Sequence, residues 1–265
     1  MCAMSNPSKI NNMKLNLVLL LLASSLFGAH SEAAPIIDQQ AEQDFVYPSF
    51  DQALVQLWLA ADQKNQEQSA SSVKRIKDEW TSISAILSKS GVEHINMTEF
   101  VKRVDSYVLS LDLCFEKRDY SCLRSIAYHI LFEFRSLRQC LYETEYPLDL
   151  IWDAMDAYFE IKSTINDRMF NLKEWFEFED DVNDFICKWE YYDLRHIKEI
   201  QEFYPGINKT EHGEIKEKVN SCLLTLLKSI ETGYQSNFVM PCDELGYAMD
   251  ELLQMYAKSK LKLIM

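Results

Sequence analysis

The spacing of apolar residues is the sequence feature that most limits what this 265-residue chain can fold into. Beyond residue 46, apolar side chains recur every three or four positions, and no sustained run alternates with a period of two. The first spacing places apolar residues on one face of a helix, whereas alternation is typical of a strand. The sequence therefore predicts an all-α protein of about eight helices. We place them near 49–65, 70–89, 98–116, 120–142, 147–165, 169–200, 211–231 and 237–258.

Three short stretches occur twice along the chain in the same order, which indicates a duplicated unit. Because a pair of helices cannot bury its own apolar stripe, each unit is expected to close four helices around a shared interior. We therefore predict two tandem, duplicated, antiparallel units that resemble four-helix bundles, at 47–142 and 146–258. Their connection is short, so the units should pack together, and one continuous helical array is the alternative. The matched stretches are LWLAAD with IWDAMD (57–62 and 151–156), VKRIKDEW with VNDFICKW (73–80 and 182–189) and VDSYVLSL with VNSCLLTL (104–111 and 219–226).

Residues 1–33 have the pattern of a cleaved signal peptide. Lys14 precedes an apolar run at Leu15–Leu22, and Ser31-Glu32-Ala33 fits a cleavage site with small residues at both ends. The apolar run is too short to span a membrane, and no later segment has enough apolar length. We therefore expect an exported protein, secreted or periplasmic, with no transmembrane segment in its mature chain. The remaining segments are an extended N-terminal stretch at 34–46 and a C-terminal tail at 259–265.

The net charge limits the partners that we expect, and the number of cysteines bears on whether disulfides form. The formal net charge is −14, and a surface this acidic repels phosphate backbones, so nucleic acid is not an expected partner. An even number of cysteines after the leader permits disulfides in an exported chain, although several could instead be small core residues. Cys114 and Cys122 are the best pair, because both would lie beside one tight turn between helices. The other four are Cys140, Cys187, Cys222 and Cys242.

His196 is the residue most suggestive of a cofactor site. It continues a seven-residue series of inward positions that begins at Trp175 on the predicted sixth helix. An imidazole inside a bundle could bind haem iron, with a methionine thioether on the opposite side. The alternative, which we favour, is a partly exposed and hydrogen-bonded histidine at a helix end. The thioethers that could complete a haem site are those of Met155, Met169 and Met249.

An acidic stretch on the same helix is the second candidate ligand site. Glu177, Asp180 and Asp181 are spaced three and four apart, so they share a face of the helix. Such carboxylates could gather a divalent metal ion, because hard cations prefer oxygen ligands. A solvated acidic face explains the same residues, and we favour it because runs of charge are common near helix starts.

Two N-glycosylation sequons, Asn96-Met-Thr98 and Asn208-Lys-Thr210, precede the predicted third and seventh helices. If the source is eukaryotic, both asparagines could be modified. If the source is bacterial, Thr98 and Thr210 are residues suited to N-capping the helices that follow. The sequence does not choose between these readings.

No residue set indicates catalysis. The chain has no GxSxG, HExxH, phosphate-binding glycine loop or dinucleotide fingerprint. We therefore expect an exported, non-enzymatic interaction protein that binds another protein or a surface component. The alternative is a carrier of haem, a metal ion or another small molecule inside a helical bundle. An enzyme of unknown class ranks third.

Overall fold

The computed structural model of the protein describes residues 45–89, 96–141, 146–167 and 172–261. Within these ranges every regular element is helical and none is a strand, so the prediction of an all-α fold is confirmed. The predicted signal peptide at 1–33 lies outside the described residues. The helices are α1 (Pro48–Asp62), α2 (Gln66–Leu87), α3 (Met97–Glu116), α4 (Tyr120–Leu141), α5 (Pro147–Asn166), α6 (Leu172–Asp193), α7 (Ile197–Phe203), α8 (Lys209–Ile230) and α9 (Val239–Lys258), with a 3₁₀ turn at Gln235–Asn237.

Proline and asparagine set where several of these helices begin. Pro48 and Pro147 occupy the first turns of α1 and α5, where a missing backbone N–H is tolerated. Asn65, Asn96 and Asn208 are the N-caps of α2, α3 and α8. The Oδ1 atom of each asparagine accepts a hydrogen bond from a backbone N–H of the first helical turn.

Helices α1–α4, which we call the first half, form a closed circuit. α1 packs against α2 and α4, and α3 packs against the same two helices. Phe134 of α4 fills the interior: its ring centroid lies 5.3 Å from that of Phe50 on α1, 6.1 Å from Trp80 on α2 and 5.2 Å from Phe100 on α3. One aromatic side chain therefore contacts all three neighbouring helices.

Helices α5–α9 are the second half, and one of them, α7, is short. α5 packs against α6 and α9, and α8 packs against α9. Trp189 connects α6 to α8, because its Nε1 donates a 2.6 Å hydrogen bond to Asn220 Oδ1 on α8. Phe238, just before α9, stacks on Phe178 of α6 with ring centroids 5.4 Å apart. The short helix, α7, lies between α6 and α8 in the chain.

The two halves contact one another through α1 and also through α4, which binds α5. Helix α1 packs against α9 as well as against its own neighbours. Trp58 of α1 meets Trp152 of α5 edge to face, with ring centroids 5.4 Å apart. Gln52 Nε2 donates hydrogen bonds to the backbone oxygens of Tyr256 and Ser259, at 3.1 and 2.8 Å. The nine described helices belong to one compact unit.

The helix that the sequence places at 169–200 is interrupted in the structure. α6 ends at Asp193, and α7 begins at Ile197. Lys216 of α8 binds both the backbone oxygen of Asp193 and its carboxylate, the latter at 2.8 Å. The Lys216 ammonium group therefore donates a hydrogen bond to the backbone carbonyl of the last residue of α6. The apolar spacing could not reveal this end, because it continues in register beyond Trp189.

Candidate functional site

Of the predicted haem ligands, His196 lies at the surface, whereas Met155 and Met249 lie in the core. His196 is exposed at the N-cap of α7, where its Nδ1 accepts a hydrogen bond from the Lys198 backbone N–H at 3.3 Å. Met155 and Met249 are buried among the apolar core side chains of α5 and α9. Because α6 stops before His196, that residue never reaches the inward position that its spacing indicates. Met169 lies outside the described residues.

The acidic trio on α6 is divided between solvent and a partly buried position. Glu177 and Asp180 are exposed to solvent. Asp181 is partly buried, which raises the pKa of its carboxyl group, and Thr164 Oγ1 donates to it at 3.3 Å. Among the residues that the structure describes, no group of three or more His, Cys, Asp or Glu side chains is arranged to hold a metal ion.

A disulfide joins Cys114 and Cys122, the pair that the sequence favours, with Cα atoms 5.9 Å apart. It links the end of α3 to the start of α4 across a tight turn in which Arg118 has a φ of 54°. The remaining described cysteines carry free thiols. Of these, Cys140 and Cys187 are exposed, Cys222 is partly buried and Cys242 is buried.

A buried ion cluster connects α1, α4 and α5. The Arg138 guanidinium binds both carboxylate oxygens of Asp149, at 2.8 and 2.6 Å, and lies 3.3 Å from a carboxylate oxygen of Asp51. All three side chains are buried. Burial raises the pKa of Asp51 to about 6, while the positive charge of Arg138 opposes that rise. The cluster therefore holds two acids and one base in a largely apolar environment.

A second buried polar group lies among α6, α8 and α9. The Tyr192 hydroxyl shares hydrogen bonds with His212 Nε2 at 2.8 Å and with the Tyr256 hydroxyl at 3.1 Å. Burial lowers the pKa of His212 to about 4, and nearby Lys216 acts in the same direction. His212 is therefore a neutral, internally bonded histidine at physiological pH.

Four large apolar side chains are exposed at one end of the second half. They lie at the start of α6, in the turn that leads from α8 into α9, and in the first two residues of α9. The contact between Trp175 and Phe238, with ring centroids 5.6 Å apart, holds these two segments together. We call this surface the apolar end: Phe176 (57% exposed), Tyr234 (70%), Val239 (41%) and Met240 (69%). The corresponding turn of the first half, between α3 and α4, instead exposes Lys117, Arg118 and Asp119.

The sequon asparagines, and not their threonines, cap the two helices. Asn96 is the N-cap of α3 and Asn208 is the N-cap of α8, and both side chains are exposed. The interpretation of Thr98 and Thr210 as caps was therefore wrong by two residues. The reason is that each helix begins directly after its asparagine, which places the threonine inside the first turn.

No described helix combines the length and the apolar content that a membrane crossing needs. Comparison with protein-family models, with curated proteins and with solved structures found no match. Any assignment of function therefore depends on the residues themselves.

Proposed function

We propose that this chain is an exported, non-enzymatic interaction protein, built from two duplicated four-helix units, that binds a partner protein through the apolar end. The observation that carries this proposal is the exposure of Phe176, Tyr234, Val239 and Met240 on two segments that the contact between Trp175 and Phe238 holds together. Soluble proteins seldom leave large apolar side chains grouped in water unless the group contacts a partner. Aromatic side chains and methionine are also enriched at protein interfaces.

The filled interior favours surface binding over the carrier hypothesis. Aromatic side chains from several helices contact one another inside both halves, around Phe134 in the first and Phe238 in the second. A haem or drug-sized ligand needs a concave pocket that buries most of its surface. Of the candidate cofactor ligands, Met155 and Met249 are buried in the core, whereas His196 faces solvent. No specific observation supports the carrier.

A repeated hydrogen bond supports the duplication. Trp80 Nε1 on α2 donates to Asp105 Oδ1 on α3 at 2.7 Å. Trp189 Nε1 on α6 donates to Asn220 Oδ1 on α8 at 2.6 Å. Both tryptophans end a repeated stretch, and both acceptors are the second residue of another. The same bond therefore joins the second and third long helices of each half, as expected if both descend from one unit.

Two features support export. The first is the signal-peptide pattern at residues 1–33. The second is the disulfide between Cys114 and Cys122, because structural disulfides persist mainly in oxidising compartments.

Affinity capture followed by quantitative binding tests the interaction surface. The mature protein would be immobilised, its partner identified from the exported fraction, and the purified pair measured by calorimetry. We expect Met240→Glu to raise Kd by roughly tenfold or more, since it places a charge in the apolar contact. Leu109→Glu, at an exposed leucine of α3 in the first half, is the matched control. Equal effects of both changes, or no effect of Met240→Glu, would reject the apolar end as the interface.

A further inference from the structure

We propose that Asn96 and Asn208 both carry N-linked oligosaccharides in the exported protein. This inference rests on the export proposed above. Three observations support it: the capping hydrogen bonds of the two asparagines, the threonine two residues after each, and the open surface beside both.

Each asparagine caps its helix through the Oδ1 atom of its side-chain amide and not through Nδ2. Asn96 Oδ1 accepts a hydrogen bond from the Glu99 backbone N–H at 3.2 Å, and Asn208 Oδ1 accepts from those of Thr210 and Glu211 at 2.8 and 3.2 Å. The glycosidic bond forms at Nδ2 and leaves the Oδ1 acceptor in place. A modified asparagine can therefore still cap its helix.

The Nδ2 atoms make no hydrogen bond on which the fold depends, so a sugar attached there would not disturb it. Asn96 Nδ2 lies 3.3 Å from the exposed carboxylate of Glu99, an interaction that water can replace. Asn208 Nδ2 makes no hydrogen bond to another described residue. Both side chains are exposed, so an attached oligosaccharide would extend into solvent.

Helix capping explains the asparagines but not the threonines. Thr98 and Thr210 are exposed, and neither hydroxyl bonds to another residue in the described part of the chain. Asn65 caps α2 in the same manner, accepting from the Gln68 backbone N–H at 3.1 Å. It is followed by Gln66-Glu67 and forms no sequon. A threonine two residues after the cap is therefore not something that this fold requires.

Each sequon borders an open surface groove. The groove beside the first sequon runs between the start of α3 and the end of α4 and is lined in part by Phe100 and Leu137. The groove beside the second runs between the start of α8 and the end of α9 and is lined in part by Ile215 and Met255. The first sugar residues thus have room at both sites, against surfaces that include apolar atoms.

The modification is a group transfer from an oligosaccharide held as a lipid-linked pyrophosphate. The asparagine Nδ2 attacks the anomeric carbon of the sugar, and a carbon–nitrogen bond forms. The bond from that carbon to the pyrophosphate oxygen breaks, and the lipid pyrophosphate leaves. The nitrogen loses one proton, and nothing is oxidised or reduced.

The test is expression of the full chain in a eukaryotic secretory cell, followed by intact-mass measurement before and after peptide N-glycosidase treatment. One version keeps residues 1–33, and a second replaces them with a leader of established function. We expect two oligosaccharides per chain in the secreted protein. Asn96→Gln, Asn208→Gln, Thr98→Ala and Thr210→Ala should each remove one. Asn65→Gln, the matched cap without a sequon, should keep both.

The two leader versions distinguish a failure of glycosylation at Asn96 and Asn208 from a failure of the proposed export. If the version with the replaced leader is secreted with both asparagines unmodified, the proposal is overturned; modification at one site alone overturns it for the other. If that version is modified while the native leader fails to direct secretion, the two sites stand and the proposed export fails. Unglycosylated Thr98→Ala protein should melt at the same temperature as its parent, which would show that the lost oligosaccharide does not reflect misfolding.

Discussion

At the scale of single residues, the burial of charged side chains is what the apolar spacing of the sequence predicts least well. Arg138 lies one helical turn after Phe134 on the inward stripe of α4, where the pattern shows only an arginine among apolar residues. Whether such a side chain reaches water or stays inside depends on acids that α1 and α5 supply. Those partners are distant in the chain, so the ion cluster could not be predicted from the spacing of α4 alone.

Arg138→Met should be strongly destabilising. It removes the only cation bound to Asp51 and Asp149 in the described cluster and leaves their carboxylates buried without it. We expect a loss of about 3–5 kcal/mol in the free energy of unfolding, measured by urea denaturation. Arg103→Met is the control, because Arg103 pairs with Glu133 while its own side chain stays 46% exposed, and it should cost about 1 kcal/mol or less. Similar losses for both variants would contradict a special role for the cluster.

His212 should make the protein less stable in mild acid. Its pKa is about 4 in the folded chain, whereas an unfolded histidine has a pKa near 6.5. Between these values the unfolded chain binds more protons, so the free energy of unfolding falls as the pH drops from about 6.5 towards 4. Asp51 acts in the opposite sense: its raised pKa favours the folded state increasingly as the pH falls from about 6 towards its unfolded value.

Comparison of the parent with His212→Gln isolates the histidine contribution, because Asp51 is common to both. Denaturation midpoints at pH 7, 5.5 and 4.5 should show a steeper loss for the parent than for the variant. Parallel pH profiles would mean that His212 is not held neutral in the fold.

At the scale of helices, the sequence predicts that the long helices exist but not all of their ends. Regular apolar spacing is local information. It indicated the eight long helices of the described chain, although the predicted sixth helix covers both α6 and α7. The break after α6 escaped prediction, because it depends on Lys216, which binds the end of that helix from α8. The caps of α3 and α8 were misplaced, because Asn and Thr are both suitable capping residues and only the backbone geometry distinguishes them.

The cap assignment gives a direct stability test. In protein made without glycosylation, Asn208→Ala should cost about 1 kcal/mol of unfolding free energy, because it removes the acceptor for the first N–H groups of α8. Thr210→Ala should change the stability by less than about 0.5 kcal/mol, as expected for a surface position. Thermal unfolding of the two variants side by side would distinguish them. A larger loss of stability for Thr210→Ala than for Asn208→Ala would indicate that the threonine is the cap.

At the scale of the whole molecule, each half is held together in a comparable way. Trp80 and Trp189 are buried in their respective halves, and each donates its Nε1 hydrogen to the following long helix. The apolar end, which we propose as the binding surface, was not predictable at this scale. Phe176 and Met240 belong to segments far apart in the chain, and their spacing alone does not show that both face solvent at the same end.

Trp80→Ala and Trp189→Ala should each destabilise the protein by roughly 3–5 kcal/mol, because each leaves a large cavity and removes a hydrogen bond between helices. Asp105→Asn should be nearly neutral, since an asparagine oxygen, that of Asn220, already accepts the same kind of hydrogen bond from Trp189. Guanidinium denaturation would give all three values. A loss below about 1 kcal/mol for both tryptophan variants would show that these side chains are not core residues.

The contact between Trp58 and Trp152 gives the molecule an optical signature. Two indoles with centroids 5.4 Å apart and ring planes at 84° lie close enough for their electronic transitions to couple. Because one ring belongs to each half, the resulting circular-dichroism couplet reports the contact between the halves and not the helix content of either. Replacing either tryptophan with phenylalanine would remove the couplet. Its loss before the helical signal during unfolding would therefore identify a state in which the two halves have separated while each remains folded.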